Sequence, residues 1–203
     1  LRNKKGFGAG NINLYFQDCE TMDVGSITTN VLLNGIIPSE GGDYVYGGVA
    51  YRLDNSYINS VDNIFIRSER LGLVVEAIIL CSKSSVYEDP ECDGGYYSMP
   101  NLTTAKAFNI YAAALTYMAE RYNGLMGHGR LSHWIMHNEV DMGKEWTNMG
   151  DQPEWRYMDT YVKSMRICHN VAHKYDPNAT VMISLTHAWN KAEGQYAPKS
   201  MLE

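Results

Sequence analysis

The segment His137-Asn138-Glu139 sets an imidazole, an amide and a carboxyl side by side, with Asp141 two residues further on. A carboxyl at the end of an apolar strand, partly desolvated by aromatic neighbours, keeps its proton to higher pH. It can then donate that proton to a leaving oxygen. A neighbouring amide such as Asn138 can hold a substrate hydroxyl or orient the carboxyl. The same glutamate could instead anchor a loop or pair with a cation, and spacing alone leaves these roles open. A second polar group, Thr186, His187, Trp189 and Asn190, follows the apolar run MISL. His187 reads equally as pocket lining or as a core histidine bonded to backbone. Asn34 closes the run NVLLN in the same way. Trp146 and Trp189 offer flat apolar faces with polar edges on which a ligand ring could stack. Trp155 falls on a helical stripe and reads as core.

His133, His137, Glu139 and Asp141 lie at even spacing, so a continuing strand would point them to one face. Such side chains are ordinary ligands for zinc or manganese, which keeps a metal-dependent hydrolase open. Cys19, Cys81, Cys92 and Cys168 lack the paired C-x-x-C spacing of a zinc site. Cys81 and Cys92 flank one loop and could be bridged, or all four thiols could be reduced. No G-x-S-x-G elbow and no cysteine in an activating setting points to a serine or cysteine nucleophile.

The elements that must position these groups repeat one grammar of helix, break, strand and polar loop. A helix is expected to open near Ser60 and to stop at Gly72, followed by the β-branched strand LVVEAIIL. After Pro100, apolar residues at three- and four-residue spacing from Phe108 to Tyr122 predict an amphipathic helix closed by Asn123-Gly124. The strand in LSHWIMHNEVD comes next. A third helix opens near Pro153 with apolar positions Trp155, Met158, Tyr161, Met165 and Cys168, and ends at Asp176-Pro177, before the strand in TVMISLTHAW. SITTNVLLNGII reads as an earlier strand, the stretch Gly41 to Gly48 as a loop, and residues before about 25 remain unplaced. Alternation of this kind builds a parallel sheet covered by helices, and both a Rossmann sheet and a (β/α)₈ barrel fit it. No glycine-rich phosphate-binding fingerprint opens any of the helices. In either fold, polar residues directly after the strands gather on one rim, where active sites are built.

HWIMHNEVD resembles the strand-four motif of clan-A glycoside hydrolases, in which an Asn-Glu pair ends the fourth barrel strand. The longer run, from HWIMHNEVDMGKEWTNMG through YMDTYVKSMRICHNVAHKYDPNATVMISLTHAWN, resembles an uncharacterised bacterial family with a glycoside-hydrolase-like barrel. The resemblance covers the chain from about Asn11 and is densest after Leu131. It implies an α/β fold: a partial (β/α)₈ TIM barrel, with parallel strands alternating with helices, in one domain over residues 1–203. It implies a hydrolase that cleaves O-glycosidic bonds in an oligo- or polysaccharide, with Glu139 as general acid/base. Asn138, His137, His187, Trp189, Trp146 and Asn34 would contact the carbohydrate substrate. It implies no cofactor and no metal, and an extracellular or cell-surface location. A retaining enzyme of this clan also needs a second carboxylate about 5 Å away, supplied by a Glu that ends the seventh strand. This sequence is read as reaching about the fifth strand and as truncated at its C-terminus. Glu193 and Glu203 do not follow strand-like runs, so the nucleophile is expected from further sequence. The alternatives are a metal-dependent barrel hydrolase using His137, Glu139 and Asp141, and a barrel that binds glycans without cleaving them.

Composition bounds these readings. Hydrophobic residues are 45% of the 203, enough for a sizeable core, and the formal net charge is −6. An acidic balance argues against nucleic acid as a partner, since that needs clustered Lys and Arg. No apolar run is long enough to span a bilayer. The 15 Tyr and 4 Trp fit a sugar-binding surface.

Overall fold

The structure, a computed structural model, describes residues 3–9 and 11–202. Strand β1 (Gly6–Gly8) is followed by a single 3₁₀ turn (Ile12–Leu14) and by helix α1 (Phe16–Thr21). Strand β2 (Ser26–Leu32) leads into the short α2 (Leu33–Ile36), and then into β3 (Ser39–Tyr46) and β4 (Val49–Arg52). Helix α3 (Asn55–Arg70), strand β5 (Val74–Ser82), strand β6 (Tyr97–Ser98) and helix α4 (Ala105–Arg121) come next. The chain continues through β7 (His133–Met136), α5 (Gly143–Trp146), α6 (Glu154–Tyr175) and β8 (Thr180–Met182).

The main sheet runs β1-β2-β5-β7-β8 with every one of these pairs parallel. Each strand lies beside its predecessor, and the order never reverses as a Rossmann sheet must at its switch point. The sheet is therefore five strands of a (β/α)₈ barrel, a partial barrel, and β7 is its fourth strand. Short β6 adds to the end of β5 in the antiparallel sense.

Local chemistry explains the helix ends. The Asp54 carboxylate accepts from the Tyr57 N–H at 3.0 Å and caps α3, so this helix opens six residues before the expected Ser60. Thr104 caps α4 through the Ala107 N–H. Helix α6 stops at Asp176, because Pro177 cannot continue it. The core lies between the sheet and α3, α4 and α6, where Ile27, Val75, Ala77, Ile79, Trp134 and Met136 alternate onto the helical side. Thr28, Glu76, Ile78, His133 and Ile135 alternate onto the other side, the barrel lumen, and are half-buried.

Two expectations are corrected and one open alternative is decided. The stretch Gly41 to Gly48 is not a loop but most of the hairpin β3–β4, closed at Gly47-Gly48 with φ of 58° and 80°. Positive φ at both turn positions matches the twist of a two-residue hairpin, and glycine allows it without steric cost. Trp155 is not core: it is 73% exposed, because the buried stripe of α6 runs through Tyr157, Tyr161, Ser164, Cys168 and Ala172. Two residues from Tyr157, a side chain faces the opposite way on a helix. All four cysteines are free thiols, so Cys81 and Cys92 are not bridged.

The glycines give a paired prediction. At Gly129 (φ +81°) an added Cβ would lie 2.4 Å from the Phe65 backbone carbon, whereas at Gly47 (φ +58°) it would meet nothing within 4 Å. Gly129→Ala should cost well over about 2 kcal/mol, and Gly47→Ala only the left-handed penalty of about 1 kcal/mol. Denaturant midpoints of the two variants should differ accordingly.

Candidate active site

Glu139 sits just past the C-terminal end of the fourth barrel strand. Its backbone is in the left-handed region, φ +35°, which a side chain with a Cβ seldom adopts. Conformations of this kind persist only where the surroundings hold them. Here the Glu139 N–H donates to Ser184 Oγ at 3.3 Å and the Val140 N–H to the Ser184 carbonyl at 3.0 Å. The Met142 N–H donates back to the Glu139 carbonyl at 2.8 Å.

Helix α6 grips the same segment from the other side. Tyr161 donates its phenol to the Met136 carbonyl, and Tyr157 donates to the Val140 carbonyl at 2.7 Å. These phenols stand four residues apart on one helical face, so they bracket residues 137 to 139. Burial pushes both far above the usual tyrosine range, so they remain hydrogen-bond donors. The Glu139 and Asn138 side chains are half-buried. Among the described residues the Glu139 carboxylate has no hydrogen-bond or ion-pair partner.

Asp141 is fully buried and structural. Its Oδ1 accepts from the Thr186 N–H at 2.9 Å, its Oδ2 from the Thr186 hydroxyl, and its carbonyl from the Gln195 and Tyr196 N–H groups, each at 3.1 Å. It ties the loop after β7 to the chain after β8. His137 is also not where the sequence reading put it. The ring is buried, with Nδ1 at 2.5 Å from the Ile79 carbonyl and Nε2 at 3.4 Å from Ser164 Oγ on α6. It faces the helical layer instead of the rim, so it cannot touch a substrate there. With His137 turned away and Asp141 spent on Thr186, the metal-ligand trio of His137, Glu139 and Asp141 does not assemble.

The remaining expected residues scatter along the rim. Trp146 is half-buried and stacks on Tyr97, with ring centroids 6.0 Å apart and planes 15° apart; Tyr96 leans on it at 5.4 Å. His187 is exposed and lies 3.6 Å from Glu193, and Trp189 is 49% exposed. Both side chains are open to solvent. Asn34 lies in α2 with its Oδ1 buried and without a hydrogen-bond partner. Glu193 faces His187 and Lys191, and Glu203 lies outside the described residues.

Sequence reasoning missed Tyr96 and Tyr97, which β6 carries onto the rim beside Trp146. Their signal was faint: two tyrosines after Gly94-Gly95. It also missed Ser184, whose role depends on β7 and β8 being neighbours.

The molecule's relatives fit this geometry. The family of unknown function DUF5722 matches residues 1–203. Among curated proteins nothing matches the chain. Among solved structures, Fpglu1 from Fervidobacterium pennivoraus is similar at a TM-score of 0.62 and 11% identity, over 88% of this chain and 41% of that one. A β-glucosidase from Thermotoga maritima in complex with cyclophellitol is similar at 0.59 and 12% identity, over 87% and 38%. The same enzyme with glucoimidazole gives 0.55 and 12%, over 85% and 37%. The chain thus spans about two fifths of the length of these structures. At such identity the likeness is one of fold: a glycoside-hydrolase-like barrel.

Burial lowers His137 from the ordinary 6.5 to about 4, partly offset by its bond to the Ile79 carbonyl. The unfolded chain therefore binds a proton that the native state refuses between these values. Stability from this residue is complete above about pH 6.5 and is lost as pH falls towards 4, by about 3 kcal/mol in all. His137→Asn keeps a donor for the Ile79 carbonyl but does not titrate. Melting curves from pH 4 to 7 should show a shallower acid slope in the variant; an unchanged slope would refute the assignment.

Proposed function

We propose that this chain, which belongs to the DUF5722 family of unknown function, is part of a glycoside hydrolase that cleaves O-glycosidic bonds in an oligo- or polysaccharide. One observation carries the reading. The Asn138-Glu139 pair ends the fourth consecutive strand of a glycosidase-like barrel, with a half-buried carboxyl that no described protein group engages. A carboxyl so placed is available to a ligand, and the rim around it is rich in aromatic rings.

In this reading Glu139, protonated, gives its proton to the glycosidic oxygen as the bond from that oxygen to the anomeric carbon breaks. The positive charge that develops on the sugar ring has oxocarbenium character. The resulting Glu139 carboxylate then takes a proton from the water that attacks the anomeric carbon. Asn138 holds a sugar hydroxyl beside the reacting centre, and Trp146 offers a stacking face. His187 and Trp189 belong to the same rim and would meet a substrate only at its outer edge. The second carboxylate is expected from sequence outside these 203 residues. A bacterial origin and an extracellular or cell-surface location belong to the same proposal and rest on the family resemblance.

The test uses the full-length protein on aryl glycosides and on plant and bacterial polysaccharides. Glu139→Gln should lower kcat by about 100-fold or more, the scale of a lost general acid, with its melting temperature unchanged. On substrates whose leaving group needs no proton, the loss should be far smaller. Equal activity in the variant would sink the role of Glu139. Binding of glycans without turnover would make this a non-catalytic glycan-binding barrel.

A further inference from the structure

A second feature of the rim lies away from Glu139. Strand β1 ends at Gly8, opposite Thr28, so the upper half of β2 has no strand neighbour on that side. A cavity of about 400 Å³ opens there, between the 3₁₀ turn, β2 and α3. Its polar lining is Asn11, Asn13, Thr29, Asn30, Tyr57, Ser60 and Tyr97. No charged side chain lines it among the described residues.

The hydrogen-bonding capacity of this lining is largely unspent. The amides of Asn11, Asn13 and Asn30 bond no other described group, and neither does the Ser60 hydroxyl. The Tyr57 oxygen accepts from the Leu32 N–H at 2.8 Å, which leaves its own O–H proton free to donate. Three amides and the four hydroxyls of Thr29, Tyr57, Ser60 and Tyr97 can each give and accept hydrogen bonds. Without a cation such a set has no preference for phosphate or carboxylate, and without a carboxylate it has none for a metal. It suits a ligand that is itself dense in neutral donors and acceptors. Tyr97 joins this cavity to the site already described, because the same ring stacks on Trp146 in the loop after β7.

We infer that this cavity is a distal subsite for one uncharged sugar unit, and that a neutral oligosaccharide runs from Glu139 across Trp146 and Tyr97 into it. The inference rests on the glycosidase reading for its direction but not for its chemistry. It makes the preferred substrate a chain of several neutral units and not a disaccharide.

The test measures binding to full-length Glu139→Gln protein by titration calorimetry, so that cleavage plays no part. The probes are linear gluco-, xylo- and manno-oligosaccharides of two to six units, with oligogalacturonides of the same lengths as charged controls. For at least one neutral series, affinity should rise with length. Asn30→Leu should remove about 10-fold of it at six units and leave disaccharide binding unchanged; made instead in the protein that keeps Glu139, it should leave aryl-glycoside turnover unchanged. Ser60→Tyr, on an exposed helical position, should block the cavity in the same way, and keeps the test intact should the strand variant melt early. Affinity that does not rise with length, variants that keep the whole gain, or oligogalacturonides that bind equally well would each overturn the subsite. Aryl-glycoside cleavage with no length-dependent binding would overturn the subsite and leave the glycosidase reading standing. Length-dependent binding that both variants abolish, in a protein that cleaves nothing, would do the reverse.

Discussion

The six residues from Met136 to Asp141 are the constraint on which the site depends. They leave the regular sheet after β7, so their backbone groups lose ladder partners and must find others or remain unpaired. They find them on three sides. Tyr161 and Tyr157 reach up from α6 to the Met136 and Val140 carbonyls, Ser184 reaches across from the chain after β8, and Asp141 grips Thr186. Each neutral bond is worth only about 1 kcal/mol net. Together they fix a left-handed glutamate that no local preference would hold. Removing one partner also leaves a buried polar group unsatisfied, which costs more than the bond contributed. The site is therefore positioned by the helix that follows it and the strand after that.

The same logic explains the tyrosine content. A tyrosine fills core volume with its ring and brings a donor to a place where only backbone carbonyls are found. Tyr87 does this for the Ile37 carbonyl at 2.8 Å, as Tyr157 and Tyr161 do at β7. In Tyr44 and Tyr175 the donor goes instead to the Glu120 carboxylate, which fastens the β3–β4 hairpin and the end of α6 onto α4. That covering is why α4 is buried almost all round, from Ala107 to Ala119, where an ordinary barrel helix keeps a wet face. Much of the aromatic count is thus spent on backbone and helix contacts inside the protein.

What the sequence made legible follows from how local each signal is. The alternation of helices and strands, the stops at Gly72 and at Asp176-Pro177, and the rim position of Asn138 and Glu139 all rest on patterns within a dozen residues. The hairpin was missed because its glycines read as a loop, whereas the Tyr44-Val45-Tyr46 run between them pairs with β4. His137 was misplaced because strict alternation was carried past Met136, where the strand has ended and the chain turns towards α6. Trp155 was misread because a helical stripe can be drawn through several phases, and the buried one passes through Tyr157. The amide-lined cavity was invisible for a different reason. Asn11, Asn13, Asn30, Ser60 and Tyr97 come from four separate elements and meet only in three dimensions. Within β2 alone, the polar run Ser26, Thr28, Asn30 at alternate positions marked a wet face, but nothing marked its neighbours.

The placement of charge completes the picture of the site. A carboxyl that is to hand over a proton must not be held as a carboxylate by a cation. Several of the barrel's cations are spent elsewhere. Arg121, at the end of α4, forks onto Asp62 of α3 at 2.5 and 2.8 Å, and Arg130, before β7, onto Asp176 after α6 at 2.7 and 2.8 Å. On the rim of Glu139 itself, Lys144 pairs with Asp151 at 3.4 Å and Lys191 with Glu193 at 4.0 Å. What faces a ligand on this rim is the Glu139 carboxyl, uncharged amides and hydroxyls, aromatic faces, and the exposed Glu145 and Lys83. That combination suits a polyhydroxylated chain better than a strongly anionic one, since an anion would meet a protein of net charge −6.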